Sequence, residues 1–475
     1  MKKLLLLSCL AVFAACSTPN PVLTVSGGKV QGVLTDSSQV LVYKGIPYAA
    51  PPVGNLRWQA PQPVPAWDGV KVCDTFGPIA WQPGNAPGTF YGDEFYWEGT
   101  PGQSEDCLYL NVWTPAPGKP DKKLPVAMWI HGGAYTGGWG YEPEFDGKVW
   151  AEKGVVLVTI NYRLGIFGFL THPFLTEENP DYVPGNFGLQ DQIAALQWIY
   201  ANIAAFGGDP DNITILGQSA GAGSVKSLVS SPLTGNLIKK AIIQSGGGVN
   251  VPPPGAPAQP AGLTTEVIGN LVKGLFDWAG YDTLEKMRAA STEEIFTLVN
   301  RYTAETGQPF RLATRPFVDG YVSLESFDAA ALEGRIKDIP YMIGYTRDDM
   351  GNPEEGIRRF CELRNAAGKP VYAYQFAHAL PDDEAGSHDM KGAFHSSELW
   401  YMFKSLDRGD RPFTQADWDL AEHVVSCWTN FAKTGDPGLG WKAYTPDAPE
   451  FMVFDLSEDG SKDASAMGAP LQRHQ

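Results

Sequence analysis

The feature that most constrains this chain is a serine between paired glycines, in the sequence GQSAG at Gly217–Gly221. An apolar, β-rich run, Ile213–Leu216, comes directly before it, and Ala222–Val229 can continue as a helix after it. A sharp turn from strand to helix requires glycine on both sides because larger side chains would clash, and it exposes the serine hydroxyl above the sheet. The start of the helix also favours negative charge beside that oxygen. The pattern therefore predicts that Ser219 is a nucleophile at the edge of a sheet.

Further apolar, β-rich runs recur between turn residues and helical segments: Val126–Ile130, Val155–Ile160, Ala241–Gln244, Tyr341–Tyr345 and Val371–Phe376. The segment Asp191–Ala205 has apolar residues at helical spacing. This alternation predicts an α/β fold with a mostly parallel central sheet flanked by helices. The chain has 475 residues, 43% of them hydrophobic, which suffices for a large core and excludes a disordered protein.

The clearest linker is the proline-rich run Val251–Pro257, which suits neither a helix nor a central strand. The polar helical stretch after it, to about Asn300, is interpreted as an inserted cap rather than an independent core. We therefore predict one catalytic domain over residues 16–475, with a helical cap insertion at about 251–315.

A second glycine motif, His131–Ala134 (HGGA), directly follows the run Val126–Ile130. Glycine lets backbone N–H groups approach a substrate oxygen closely, as an acyl-transfer site requires for its developing oxyanion. Gly132 and Gly133 are therefore candidate oxyanion donors, and the N–H of Ala220 would complete the set.

A nucleophilic serine needs a base, and the chain has seven histidines. In α/β-hydrolases the base follows both the serine and the acid along the chain. Four histidines are unsuited to be this base. His131 and His172 lie before the serine, His474 lies near the C-terminus, and His423 lies within a helical run. The other three are His378, His388 and His395. We favour His395 because it lies just before a helix, next to the apolar Phe394.

The acid is expected just after an earlier strand of the sheet. The run Tyr341–Tyr345 is followed closely by Asp348 and Asp349, so one of these two is the candidate. A loop aspartate more often caps a helix or pairs with arginine, and the local sequence does not separate the two residues.

These motifs, in this order, resemble the type-B carboxylesterase/cholinesterase family of α/β-hydrolases. The most specific stretches are Ser104–Val112, Asn161–Gly165 and Phe206–Gly221, and the resemblance runs over about residues 22–244, 315–346 and 371–454. It implies an α/β-hydrolase fold, a small-molecule ester as substrate, and catalysis without a metal or an organic cofactor.

The resemblance also implies a role for each site residue. Ser219 is then the nucleophile, His395 the base and Asp349 the acid, with Asp348 as second choice; the oxyanion donors are Gly132, Gly133 and Ala220. Most relatives carry Glu where this chain has Asp349. The interval from Asp349 to His395 is 46 positions, shorter than is usual in the family, and it fits either a more open pocket or a lineage that has lost activity.

The family pattern further implies a disulfide between Cys73 and Cys107. Gln218 and Trp139 are the candidate substrate-pocket residues. Gln218 replaces the Glu that usually precedes the nucleophile, which disfavours a cationic choline ester. Trp139 follows closely behind the oxyanion glycines, whereas the aromatic residues between the two cysteines are expected mainly to pack their loop onto the body.

The N-terminus is typical of an exported protein. Lys2 and Lys3 precede an apolar run, Leu4–Ala15, which is too short to span a membrane. Small residues before Cys16 resemble a bacterial lipoprotein signal. We predict a signal peptide over 1–15, lipidation at Cys16 and anchoring at the bacterial cell envelope, in the periplasm or at the outer membrane. Soluble secretion after ordinary cleavage is the alternative.

The charge balance bears on partners. Lys and Arg number 36 and Asp and Glu 53, so the net charge is −17. So acidic a surface disfavours nucleic acid and anionic membranes, and membrane contact would come only from the lipid anchor.

Two hypotheses about function follow from the sequence. We expect an exported serine carboxylesterase that hydrolyses small to medium uncharged esters through an acyl-enzyme. The alternative is a non-catalytic binding or adhesion protein that keeps the fold. The sequence does not indicate an oligomeric state.

Overall fold

A computed structural model of the protein describes residues 22–37, 39–84, 88–250, 265–307, 314–383, 386, 388 and 390–456. The predicted export signal, Cys16, and residues 251–264 and 308–313 of the predicted cap lie outside this part of the chain. In the part that is described, no helix combines the length and the apolar character needed to cross a membrane.

The strands form one large sheet and one small sheet within the described residues. In chain order they are β1 (Val22–Val25), β2 (Gly28–Gln31), β3 (Val33–Leu34), β4 (Leu41–Pro47), β5 (Val70–Val72), β6 (Tyr109–Thr114), β7 (Leu124–Ile130), β8 (Val156–Ile160), β9 (Gly208–Gln218), β10 (Lys240–Gln244), β11 (Tyr341–Thr346), β12 (Val371–Phe376) and β13 (Met452–Phe454).

The large sheet has the spatial order β3-β4-β6-β8-β7-β9-β10-β11-β12-β13, and the small one β1-β2-β5. In the large sheet, β3, β4, β6 and β8 pair antiparallel with one another. Every pair from β8 to β13 is parallel. The predicted α/β fold with a mostly parallel sheet is therefore confirmed. Because the strands are parallel, the chain leaves β7, β9, β11 and β12 at the same edge.

Helices cover the sheet. They are α1 (Phe90–Glu94), α2 (Lys148–Glu152), α3 (Gly165–Gly168), α4 (Pro173–Glu178), α5 (Phe187–Asn202), α6 (Ala220–Ser230), α7 (Thr265–Trp278), α8 (Leu284–Ala289), α9 (Thr292–Thr306), α10 (Phe327–Leu332), α11 (Glu354–Ala366), α12 (Leu399–Phe403) and α13 (Gln415–Thr434). The segment predicted to be helical over 191–205 is α5 followed by a short 3₁₀ turn, which ends at Gly207 with φ 81°.

Successive residues of the central strands face two different cores, because side chains alternate across a strand. Met128 joins one cluster with α5, α6 and α11, while its neighbour Trp129 joins the other with α12 and α13. Both side chains are fully buried. Burial on both faces explains why these strands are continuous apolar runs in the sequence.

The helices of the predicted cap have no separate core among the described residues. Apolar residues of α7, such as Val272 and Phe276, pack against Trp58, Phe167 and Leu170 of the remaining chain. These helices therefore depend on the main body for their burial.

The predicted Cys73–Cys107 disulfide is absent from the structure, and both thiols are free and buried. Cys73 lies beside Tyr43, whereas Cys107 lies near Tyr48 and the charges of other residues. Both residues belong to the same core cluster, and the structure does not show the pairing that the resemblance implied. Cys361 and Cys427 are likewise free and buried, in clusters on opposite faces of the sheet.

Buried ion pairs tie the loops to the sheet. Arg163, after β8, donates to Asp191 of α5 through Nε at 2.8 Å and Nη2 at 2.7 Å. The two side chains are only 3% and 0% exposed. Arg57 is similarly buried on Glu105, with Nε donating at 2.8 Å, and its Nη1 donates to the carbonyl of Ala290 beyond α8 at 2.7 Å. Arg57 thus links the cap helices to the body.

We expect Arg163→Met to lower the free energy of unfolding by about 3–5 kcal/mol, because it leaves the Asp191 carboxylate buried without its partner. Urea denaturation measures the loss. The matched control is Arg335→Met, which removes an exposed arginine paired with Glu325, and its unfolding midpoint should match that of the wild type. Equal midpoints for Arg163→Met and the wild type would contradict the prediction.

Candidate active site

The candidate nucleophile forms a tight turn between β9 and α6. β9 ends at Gln218 and α6 begins at Ala220, so Ser219 alone makes the turn. Its backbone has φ 56° and ψ −119°, a conformation that costs a residue with a side chain about 1–3 kcal/mol. The neighbouring strand holds it in place, because Ser219 N donates to the carbonyl of Gln244 in β10 at 2.9 Å. The serine therefore stands at the carboxyl edge of the sheet.

The flanking glycines are required by backbone contacts. A Cβ on Gly221 would lie 2.0 Å from the carbonyl oxygen of Ile130, and a Cβ on Gly217 would lie 2.6 Å from the backbone of Gly221. Both contacts involve main chain, which cannot move aside as a flexible side chain can. The turn therefore packs directly on the end of β7, and this brings the loop after β7 beside Ser219.

That loop contains the predicted oxyanion donors. A Cβ on Gly132 would lie 3.2 Å from Ser219 Cβ, so the loop touches the nucleophile. The chain then turns through positive φ at Gly133 (93°) and Ala134 (55°). Within the described residues, no hydrogen bond uses the N–H groups of Gly132, Gly133 or Ala220 as donors. These three groups are therefore free to bind an oxyanion.

Side chains behind the loop fix its shape. Gln82 exchanges two hydrogen bonds with Gly138, accepting from its N–H at 2.7 Å and donating to its carbonyl at 3.1 Å. His131 bonds the carbonyl of Gly132 through Nδ1 at 2.9 Å, and its ring stacks on Tyr162. Burial lowers the pKa of His131 to about 4, so the ring is neutral near pH 7. Sequence reasoning identified neither Gln82 nor this use of His131.

His395 and Asp349 come together from two separate loops. Asp349 follows β11, His395 lies between β12 and α12, and His395 Nδ1 is 2.6 Å from Asp349 Oδ1. Their side chains are 8% and 4% exposed. Burial acts to raise the pKa of Asp349, but the hydrogen bond and charge of His395 outweigh it and hold that pKa below its usual value. Asp349 is therefore an ionised acceptor for the Nδ1–H of His395.

Asp348 occupies a different position. Its carboxylate accepts from Ala393 N at 2.8 Å and pairs with Arg347 at 3.0 Å. Its own N–H donates to the carbonyl of Ala393 at 3.0 Å. Asp348 therefore fastens the segment that carries His395 without contacting the ring.

Gln218, a predicted pocket residue, points at the candidate base. Its side chain is buried, and its Nε2 lies 3.1 Å from His395 Nε2. Among the described residues, no hydrogen bond joins the Ser219 hydroxyl to His395. Such a bond is often long or absent in a site without substrate.

Trp139, the other predicted pocket residue, lies behind the oxyanion loop. It is 2% exposed and packs on Tyr96, with ring centroids 4.5 Å apart. It borders a cavity of about 620 Å³ that is also lined by Trp97 and Tyr141. Neither Ser219 nor His395 lines that cavity. A pocket role for Trp139 therefore stays a prediction.

A buried glutamate beside the base was missed by sequence reasoning. Glu398 is fully buried three positions after His395, and its Oε2 has no hydrogen-bond partner among the described residues. Burial first, and the charge of Asp349 second, raise the pKa of Glu398 to about 7. The three-residue spacing was visible in the sequence, but nothing local indicated that the carboxyl group would be buried.

A second acidic cluster lies under the loop after Trp139. Glu142 accepts from Trp139 N at 2.8 Å, and Glu142 and Glu144 are 6% and 1% exposed. Burial raises the pKa of Glu142 to about 7, and burial together with the charge of Glu142 raises the pKa of Glu144 well above its usual value. Within the described residues, no group of three or more His, Cys, Asp or Glu side chains is arranged to hold a metal ion.

Comparison with known proteins gives consistent matches. The model of the carboxylesterase family matches residues 19–358 and 352–468. The chain is 34% identical to para-nitrobenzyl esterase of Bacillus subtilis (strain 168), over 91% of this chain and 94% of that protein. It is 39% identical to fumonisin B1 esterase of Sphingopyxis macrogoltabida, over 74% of this chain and 59% of that protein.

A solved structure gives the same result for the fold. A PNB esterase superposes with a TM-score of 0.75 and 29% identity, covering 92% of this chain and 96% of that one. Sequence and structural similarity thus extend over nearly the whole chain.

The raised pKa values of the buried glutamates predict how stability depends on pH. Between the usual glutamate pKa of 4.5 and about 7, the folded protein holds protons that the unfolded chain has released, so stability falls as pH rises through this window. We expect Glu144→Gln to make this fall in stability between pH 5 and 8 less steep, because it removes one of the carboxyl groups whose pKa burial raises. Chemical denaturation at several pH values measures it, with the exposed Glu152→Gln as control. Parallel curves for wild type and Glu144→Gln would refute the assignment.

Proposed function

Because this chain belongs to the carboxylesterase family and is a carboxylic ester hydrolase, we propose that it acts as a serine esterase through Ser219, His395 and Asp349. The observation that carries this proposal is the 2.6 Å contact between His395 and Asp349, in front of a serine on a strained strand-to-helix turn. Nucleophile, base and orienting acid are the parts that acyl transfer requires.

The mechanism uses only groups of this chain and water. His395 accepts the proton of Ser219 as the serine oxygen attacks the ester carbonyl, and Asp349 stabilises the imidazolium that forms. The oxyanion is bound by the N–H groups of Gly132, Gly133 and Ala220, each contributing about 3 kcal/mol to the transition state. His395 then protonates the leaving alcohol, and water hydrolyses the acyl-enzyme by the same steps.

The proposed substrates are small to medium uncharged esters. The residue before the nucleophile is the neutral Gln218, so that position adds no negative charge that would attract a cationic alcohol group. The names of two bacterial relatives, para-nitrobenzyl esterase and fumonisin B1 esterase, show that similar chains serve different esters. The alternative of a non-catalytic binding protein is disfavoured because serine, base, acid and oxyanion loop are all present in one site.

We expect the wild type to be labelled by a fluorophosphonate and to hydrolyse p-nitrophenyl acetate and butyrate. Ser219→Ala should lose labelling and at least about 10⁴-fold in kcat. Asp349→Asn should lose about 10⁴-fold, because the ring loses its orienting acceptor. The matched variant Asp348→Asn should lose less than about 10-fold, since Asp348 bonds the backbone of Ala393 rather than the ring.

Substrate charge is tested in the same assays, where butyrylthiocholine should have a kcat/KM at least 10-fold below that of an uncharged butyryl thioester. A wild type that is neither labelled nor active would favour the non-catalytic alternative. A larger loss in Asp348→Asn than in Asp349→Asn would reverse the assignment of the acid.

We also propose export and lipid anchoring at Cys16, which rest on the leader sequence alone. Expressed in a bacterium, the full chain should incorporate radiolabelled palmitate and sediment with the cell envelope. Cys16→Ala should lose the label, whereas Cys73→Ala should keep it. Label that survives Cys16→Ala would overturn the anchor, and an unlabelled wild type recovered in the soluble exported fraction would favour ordinary secretion.

A further inference from the structure

Gln218 occupies the space between the candidate base and the oxyanion loop. Its Nε2 lies 3.1 Å from His395 Nε2, and its Oε1 would lie 3.1 Å from a Cβ on Gly132. The side chain is 3% exposed, so little of it is available to contact a substrate. Among the described residues, the hydrogen bond that its side chain makes is with His395.

The direction of the hydrogen bond between Gln218 and His395 follows from the other side of the ring. Asp349 is an acceptor only, so His395 Nδ1 carries the proton and donates it at 2.6 Å. In a neutral imidazole the other nitrogen is then an acceptor. The amide of Gln218 supplies the matching N–H donor. This arrangement selects the tautomer that a general base needs, with its lone pair on Nε2.

The same contact occupies the lone pair on His395 Nε2. His395 Nε2 bonds Gln218, and among the described residues the Ser219 hydroxyl does not bond it. Activation of Ser219 therefore requires the amide to release Nε2 as the hydroxyl takes its place.

We propose that Gln218 is a positioning residue that holds His395 as a neutral base with a free Nδ1–H, and releases Nε2 to Ser219 when substrate binds. The proposal rests on the proposed esterase function, and it assigns Gln218 to the base rather than to the substrate pocket.

The charges around His395 show why the amide matters. Asp349 faces Nδ1, and Glu398 lies on the segment after the ring and interacts with both residues. Tyr374 of β12 lies near the two acids, and Tyr91 bonds the neighbouring Ser396 at 3.3 Å. A carboxylate at position 218 would be a third acid, placed about 3 Å from Nε2, and it would favour the protonated ring that cannot act as a base.

The test is the pH dependence of kcat/KM for p-nitrophenyl acetate in Gln218→Glu and Gln218→Met. We expect the acid limb of the kcat/KM profile of Gln218→Glu to shift to higher pH by about one unit or more, because the carboxylate stabilises the imidazolium. Gln218→Met keeps the length of the side chain but removes the N–H donor to His395. Its acid limb should therefore shift to higher pH by roughly half a pH unit. In both variants KM should change less than about twofold.

Gln192→Met is the matched control. Gln192 is also a buried glutamine, but it donates to Ser224 at 3.0 Å, away from the base. Its substitution lowers stability without moving the acid limb. Circular dichroism checks that each variant is folded, and fluorophosphonate titration measures the fraction of protein with a reactive serine.

Several outcomes would overturn the inference. If both acid limbs coincide with that of the wild type, Gln218 does not act on the base. If KM and acyl preference change instead, it is a pocket residue. If Gln218→Met moves the limb down, the amide oxygen accepts from the imidazolium and the assigned direction is wrong.

A readout without turnover separates this inference from the proposed function. The ¹⁵N shifts of the His395 imidazole, assigned by comparison with His395→Gln, report its tautomer and titration in the intact protein. The ranking of the variants should be the same as in the kinetic test. A wild type without activity would therefore refute the esterase function, while the ¹⁵N titration would still decide the role of Gln218.

Discussion

The strand-to-helix turn at Ser219 is the constraint on which the rest of the site depends. Gly221 lies so close to Ile130 that no side chain fits between them, so the turn and the end of β7 form one backbone unit. The strain at φ 56° persists because β10 and the start of α6 hold the serine from both sides. Any shift of β7 against β9 would separate Ser219 from the loop that carries Gly132 and Gly133.

The parallel strands place the other residues of the candidate site at the same carboxyl edge of the sheet as Ser219. β7 leads into the oxyanion loop, β9 into the turn, β11 into Asp349, and β12 into the segment that carries His395. That segment is long, and it is braced by a buried ion pair in which Arg411 Nη2 lies 2.6 Å from Glu94 Oε2. Arg411 also donates to the carbonyls of Pro381 and Met390 within the segment. The position of the base thus depends on contacts far from the chemistry.

Acidic groups are buried around this edge in two different ways. Those paired with arginine, such as Asp191 and Glu105, remain acceptors in networks that join distant parts of the chain. Glu142, Glu144 and Glu398 have no arginine partner among the described residues, and burial raises their pKa values instead. The loop after β7 and the segment that carries His395 are therefore packed on carboxyl groups whose pKa values are raised by burial.

Much of the framework was predictable because it depends on neighbouring residues. Most central strands were found nearly to their ends: β12 is Val371–Phe376 as expected, and β11 extends the predicted run by one residue. The exception is β9, which begins at Gly208, well before the predicted start at Ile213. β4, β6 and the burial of Glu398 escaped prediction, because β4 pairs with a segment far along the chain and burial depends on the whole fold. The Cys73–Cys107 disulfide, which only the resemblance implied, is not shown by the structure, where both thiols are free.

The sequence by itself determined the turn, the oxyanion loop and the parallel sheet, because clashes between consecutive backbone atoms and the periodicity of apolar residues are local properties. Only the tertiary structure decided that Asp349 rather than Asp348 reaches His395, and that Gln218 bonds the base. These contacts join segments 46 and 177 positions apart. Their distances are set by how the strands line up and the loops pack, which no short stretch of sequence contains.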